Sequence, residues 1–344
     1  MKRIQDTLTE NLKNSLGIVR KAAIDLWHSP QHRSYTDHKP EGHSERIVEK
    51  MNRLLADVPD NLALAPEEVY VLLASAYLHD IGMQSEQTRF KTLDEIRDHH
   101  HEISREMILG SVLDREHYPD LGVIPELVDE VALVSAAHRR LDLRRLDLRS
   151  DEFADRPKGE VTLRLCLLSA LLRLADELDM DSRRVIMGNI KVADVPQSSR
   201  LHWWRCDFVE AVSVQNGVIT VNCVVPSEDY TYYVKTSVER GLRDAVEKTR
   251  EFLWPTVRLS VGASVARLSL TKAAMSAEDF AAFRAQVIAE VHQSAQKASG
   301  EMRDLHDRAR REATLLGEEA QRIHDKDPLV PPTSTVRRRF SFSN

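Results

Sequence analysis

The chain has 344 residues, 42% of them hydrophobic and 30% charged, and a formal net charge of −6. That length suits two domains of ordinary soluble composition, and the acidic balance excludes a protein that coats nucleic acid over its whole surface. The three cysteines, Cys166, Cys206 and Cys223, form no Cys-x-x-Cys pair, which argues against a disulfide framework or cysteine zinc site and for a reducing, cytoplasmic setting.

The first stretch, MKRIQDTLTENLKNSL, has no apolar core and does not read as a signal peptide. From there to residue 185, apolar positions recur at three and four and Gly and Pro are sparse, so residues 1–185 are expected to be helical. His43 opens a helix whose apolar stripe is Ile47, Met51 and Leu54. The run Val69–Leu78 is apolar and ends on His79-Asp80. Within His99-His100-His101, only His100 shares the stripe of Ile96, Ile103 and Met107; its neighbours diverge by about 100° each. His138 extends the stripe of Val131 and Val134, and a helix over Val161–Met180 leads through Leu165, Leu168 and Leu172 to Asp176. The longest apolar run, Val161 to Ala175, is interrupted by Arg164 and Arg173 and is too short to span a bilayer.

The texture changes near residue 186. Val209–Val214 and Val218–Val225 are joined through Gln215-Asn216-Gly217, a hairpin signal. A helix over Val238–Leu253, closed by Pro255, and a strand over Val265–Leu270 complete a small α+β unit at 186–275. A helical segment over 276–325 starts with a Ser276/Asp279 cap, breaks at Gly300 and runs to about His324. The tail, 326–344, is Pro/Ser/Arg-rich and expected to be disordered. The expected fold is mainly α: an all-helical core, a small α+β unit and a C-terminal helix.

Fourteen histidines stand out, and three fall in His-Asp dipeptides: His79-Asp80, His306-Asp307 and His324-Asp325. The last two lie in the charged stretch LHDRARREATLLGEEAQRIHDK, where a solvated face accounts for them. His79-Asp80 instead ends an apolar helix, where an ionisable pair needs a compensating partner. A divalent metal would supply one. Five segments direct six potential ligands inward: His43, His79, Asp80, His100, His138 and Asp176. Each histidine alone also reads as a core histidine bonded to a carbonyl, and Asp176 as a salt bridge to Arg173 or Arg183. Six inward positions together point to one metal centre.

The order His, His-Asp, His, His, Asp resembles the signature of the HD-domain metal-dependent phosphohydrolases. GHSERIVEKMNRLL, LLASAYLHDIGM, HHEISREMI and LLRLADELDMD are similar to that family's ligand-bearing segments, over residues 20–185. The stretches SYTDHKPEGHSERI and LADELD most resemble the HD branch of bacterial conflict and defence systems, although no GxxxxGK[ST] or other ATPase box accompanies them. The resemblance implies an HD-type helical core holding one or two divalent metals. His43, His79, Asp80 and Asp176 would hold the first; Asp80 would bridge to a second on His100 and His138; His79 and Asp80 would be the catalytic pair. Such donors suit Mn, Fe, Ni, Co or Zn, with Mg as a further candidate. The implied reaction is attack of water on a phosphoester or phosphoanhydride of a nucleotide or small phosphorylated metabolite.

Arg139 and Arg140 follow His138 within one turn and are candidates to hold substrate phosphate. Arg144, Arg145 and Arg149 alternate with Asp142, Asp147 and Asp151 and read equally as a charged face. Lys39, Arg46 and Arg173 are second candidates. Trp203 and Trp204 read as packing at a domain seam or as a base-stacking platform. Three other functions stay open: a nuclease acting on single-stranded DNA or RNA, a nucleotide-sensing HD module without turnover, and di-iron oxygenase chemistry. No membrane partner is expected; a homo-oligomer stays open.

Overall fold

The computed structural model describes residues 3–28, 38–84, 93–138, 154–185, 197–254 and 256–326. Arg139, Arg140, Arg144, Arg145 and Arg149 and the tail from 327 onward lie outside the described residues. Helix α1, Glu10–His28, buries Leu12, Val19, Ala23 and Trp27 along one face. A π-helical turn, Pro40–Ser44, carries His43 and leads into α2, Glu45–Leu54, which buries Ile47, Met51 and Leu54. The Lys39 carbonyl starts this turn, accepting the Gly42 and His43 amides at 3.0 and 2.8 Å.

Helix α3, Pro66–Leu78, is buried at every residue from Glu68 onward. Each large side chain buried there stabilises the fold by about 1.5–3 kcal/mol, so this helix is the centre of the core. Helix α4, Leu93–Leu113, packs on α5, Val128–Ala136, and on the short turn Ile81–Gln84. Helix α6, Leu165–Glu177, lies with α1, α2 and α5 against α3. The Glu68 carboxylate ties the starts of α3 and α6 together. It accepts the Ala65 amide at 3.0 Å, the Arg164 amide at 2.9 Å, and Arg164 Nε and Nη2 at 2.8 and 2.6 Å.

That clamp corrects the expected helix over Val161–Met180. Its first three residues are strand β2, Val161–Leu163, paired antiparallel with β1, Arg156–Lys158. Thr162 is exposed and Leu163 buried, a two-residue alternation hidden inside an apolar run.

Helix α7, Gln197–Phe208, buries Trp203 and Trp204, with Trp204 stacked on Phe208. Strands β3, Val209–Gln215, and β4, Val218–Val225, form the expected hairpin. Asn216 and Gly217 have φ of 50° and 71°, the left-handed pair of a type I′ turn. Helix α8 runs Glu228–Leu253, ten residues longer at its start than expected. Ser227 precedes two acidic residues in the first turn, and Tyr230, Val234 and Val238 are buried at spacings of four. The aromatic and β-branched Thr231–Val234 are weak helix formers, and the burial of Tyr230 and Val234 in tertiary contact carries the helix through them. Strands β5, Ser260–Val261, and β6, Val265–Leu268, pair parallel with β4.

Helix α9, Ala277–Lys326, is continuous through Gly300. One glycine costs a helix only about 1 kcal/mol, too little to force the expected break. Ser276 Oγ accepts the Asp279 amide at 3.0 Å. The Asp279 carboxylate does not return the cap; it accepts Trp204 Nε1–H and Arg200 Nε–H, both at 3.3 Å. The side chains of His306, Asp307, His324 and Asp325 lie outside the described residues. The chain divides into two units, Met1–Phe283 and Arg284–Asn344. Within the first, α6 packs on α8, and Lys50 of α2 donates to the Val212 carbonyl of β3 at 2.8 Å. Among the described residues, no helix is long and apolar enough to cross a membrane.

Two glycines separate packing from propensity. A Cβ on Gly82 would lie 2.2 Å from the His100 carbonyl oxygen, whereas one on Gly17 of α1 would meet nothing within 4 Å. Gly82→Ala should therefore cost about 1–3 kcal/mol by overpacking. Gly17→Ala should stabilise by about 0.5–1 kcal/mol. Chemical denaturation of both variants checks this.

Candidate metal centre

Three helices end at one place. Helices α3, α5 and α6 finish at Leu78, Ala136 and Glu177, and His79, His138 and Asp176 sit at those ends. A helix C-terminus carries roughly half a negative charge, so the convergence alone favours a cation. His43 arrives from the turn before α2 and His100 from α4.

The six sequence-derived candidates meet around Asp80. On its Oδ2 side, His79 Nε2 lies at 3.2 Å and His43 Nε2 at 3.6 Å. Those two nitrogens are 3.3 Å apart, and Asp176 Oδ1 is 3.2 Å from His43 Nε2. On the Oδ1 side, His100 Nε2 lies at 3.1 Å and His138 Nε2 at 3.5 Å, with 2.9 Å between them. One carboxylate thus faces two groups of donors.

The other nitrogen of each imidazole is committed to the protein frame. His79 Nδ1–H donates to the Ala76 carbonyl at 3.0 Å, His100 to Arg97 at 2.6 Å and His138 to Ser135 at 2.5 Å. His43 Nδ1 donates to Asp179 Oδ2 at 2.7 Å. A carbonyl only accepts, so a proton must sit on Nδ1, and a neutral ring then turns its Nε2 lone pair to the centre. Four such lone pairs and two carboxylates converge in buried space. Shared protons or a cation are needed to satisfy them, and the donor set suits a divalent transition metal.

Without a cation, a proton on His79 takes that place. Burial opposes a proton on His79, yet Asp80 beside it and Asp176 behind outweigh that and push the imidazole up to about 9. Burial takes His138 down to about 4 and His38 to about 3, with Asp80 only partly offsetting it. Burial would raise Asp80 and Asp176, but the imidazoles around them hold both well below the usual carboxylate range.

Helical phase placed His100 inward and His99 outward, as found; it also placed His101 outward, and there it failed. His101 is buried, because α4 is covered both by α5 and by the Ile81–Gln84 turn. Its ring packs edge-on against His100 at 5.9 Å. Ser104, one turn on, ties α4 to the end of α3: its Oγ donates to the His79 carbonyl at 2.7 Å and accepts the Gly82 amide at 2.9 Å.

Other residues at the centre escaped sequence reasoning. His38 Nδ1 lies 2.7 Å from Asp80 Oδ2, but it precedes the first helical turn, where no stripe flags it. Asp179 lies three residues beyond Asp176, a spacing that could have revealed it. Its carboxylate takes His43 on one oxygen and Arg46 Nε on the other at 2.7 Å, and Arg184 donates to its carbonyl at 3.0 Å.

A cavity of about 340 Å³ opens onto the centre at His38, Asp80, His100, His138 and Asp176. Arg173 lines it, together with Arg97, Arg184, Arg205 and Lys248. Of the other phosphate candidates, Lys39 is exposed and Arg46 is turned onto Asp179.

Asp179→Ala should weaken manganese binding by about 10–100-fold, the usual loss when an outer partner of a ligating histidine is removed. Titration of the metal-free variant measures it; unchanged affinity would show that Asp179 does not orient His43.

A comparison with curated proteins finds no match. A family model described as HD-CE matches residues 32–249, more than half of the chain. The matched span takes in the buried His/Asp cluster and runs into α8. With an HD-type domain built on that cluster, the chain belongs to the HD-CE family.

Proposed function

We propose that the protein is a metal-dependent phosphohydrolase acting on a nucleotide or another small phosphorylated molecule. The observation that carries this reading is Asp80 standing between two groups of imidazole Nε2 atoms. His43, His79 and Asp176 would hold one divalent cation, His100 and His138 a second, and Asp80 both. Such a pair supplies Lewis acidity, lowering the pKa of water and clamping the oxygens that enter and leave a phosphoryl group.

The chain's own residues do the rest. Asp80 and Asp176, kept ionised by the imidazoles, retain charge for the cations. Asp179, fixed by Arg46, orients His43. Arg173 lies one turn before Asp176 and lines the cavity, within range of a substrate phosphate. Arg139 and Arg140, directly after His138, add phosphate contacts in this reading. The cavity volume favours a small substrate over a nucleic-acid strand, and buried Trp203 and Trp204 offer no stacking platform. The likeness to the branch of conflict and defence systems supplies a biological setting for nucleotide removal.

Asp80→Ala should abolish hydrolysis of nucleotides and remove at least one metal equivalent. His100→Ala should lower kcat/KM by more than the about 10–100-fold typical of a supporting residue. His99→Ala, at a half-exposed position, should keep activity and change stability by less than about 0.5 kcal/mol. Metal analysis with a nucleotide hydrolysis screen measures all three. An active, fully metallated Asp80→Ala protein would contradict the reading.

A further inference from the structure

The far wall of the cavity is built by elements that carry none of the six candidate ligands. Arg205 comes from α7 and Lys248 from α8, and Glu177 at the end of α6 lines the same cavity. A Cβ on Gly241 of α8 would lie 3.5 Å from Glu177 Oε1 and 3.8 Å from Arg205 Nη1. Bare backbone therefore meets a carboxylate and a guanidinium where three helices join. Between this wall and the metal centre stands Arg184, buried and fixed. Its Nη1 donates to the Asp179 carbonyl at 3.0 Å, and its Nη2 lies 3.2 Å from His38 Nδ1.

This wall is cationic beyond its own needs. Arg205 Nη2 rests 3.2 Å from His202 Nδ1, but its Nε is buried without a hydrogen-bond partner among the described residues. An unmet charged donor is costly, and an anionic oxygen would satisfy it. His202 is kept neutral by burial and by Arg205, Arg97 and Arg184, so three guanidinium groups act on one point. Asp244 pairs with Lys248 on the adjoining turn, a counter-charge that an entering anion can displace. Five cationic side chains line the cavity against four carboxylates, and each divalent cation at the centre adds two positive charges. With Asp80 and Asp176 committed to the cations, Glu177 and Asp244 are the lining carboxylates left to face Arg184, Arg205 and Lys248.

We infer that α7 and α8 form a second anion subsite, in which Arg205, Arg184 and Lys248 hold the distal phosphates of a ligand carrying two or more linked phosphates. The inference rests on the phosphohydrolase reading only for the end of the ligand that reaches the metals. At about 340 Å³ the cavity is at the small end of ligand sites, which suits a phosphate chain held compactly.

Calorimetric titration of the full-length protein, with and without manganese, tests it. Inorganic tripolyphosphate should bind at least about tenfold tighter than orthophosphate, since each added charge-assisted contact is worth about that factor. Arg205→Gln and Lys248→Gln should each weaken tripolyphosphate by about tenfold and leave orthophosphate within about twofold. Lys248 is half-exposed, so its variant keeps the test valid should Arg205→Gln fail to fold. A nucleoside triphosphate titrated alongside names the source, nucleotide if it binds tighter and inorganic chain if weaker, and the Arg205→Gln loss should appear in both. Equal affinity for tripolyphosphate and orthophosphate, or full tripolyphosphate affinity in both variants, would overturn the subsite. A protein that hydrolyses nothing yet loses tripolyphosphate in Arg205→Gln would overturn the hydrolase reading and leave the subsite standing.

Discussion

Four histidines that each commit Nδ1 to the frame and turn Nε2 inward are the constraint on which the rest of the structure depends. His79, His100 and His138 donate to carbonyls three residues back, and His43 donates to Asp179. The ring orientations are fixed before any metal arrives, so binding needs only the loss of Nε2 protons and little ordering. The same arrangement makes the centre unstable to emptiness in a chemical sense: acceptors face acceptors around Asp80, and only protons or cations reconcile them.

The surrounding fold exists to hold those rings at one depth. Helix α3 is apolar on every side, which drives it to the middle and places His79-Asp80 at its end. Two further helix ends bring His138 and Asp176, and their dipoles add negative potential to that of the carboxylates. Gly82 lets α4 approach to backbone contact, and Ser104 stitches it to the His79 carbonyl. Asp179 is both the anchor of His43 and the partner of two arginines, so the centre and the cavity wall share one polar network.

Much of this was legible in the sequence because it depends on helical phase. His43, His100, His138 and Asp176 each sit on a stripe of apolar residues, and a stripe reports direction. Phase fails where a helix is covered on more than one side, as at His101, and before a helix begins, as at His38. The start of α6 is not legible because an apolar run conceals whether its period is two or nearly four, and the first ten residues of α8 combine weak helix formers with a helical spacing of buried residues. Arg205 and Lys248 were invisible for another reason. They reach the cavity through tertiary packing of α8 on α6 and of α7 on α8, which no local pattern encodes.

Helices α7 and α8, which pack on the hairpin, are therefore a wall of the site as well as an appendage to a helical core, and the HD-CE match from 32 to 249 takes in α7 and most of α8. The cation that His43, His79, Asp80, His100, His138 and Asp176 would hold is open to direct observation. Anomalous diffraction from crystals of the manganese-loaded protein gives the most direct view. The expected map has density between the Nε2 atoms of His43 and His79 and between those of His100 and His138, on either side of Asp80, with every Nδ1 still on its carbonyl or carboxylate. Anomalous density bound through Nδ1, or found only away from Asp80, would contradict it.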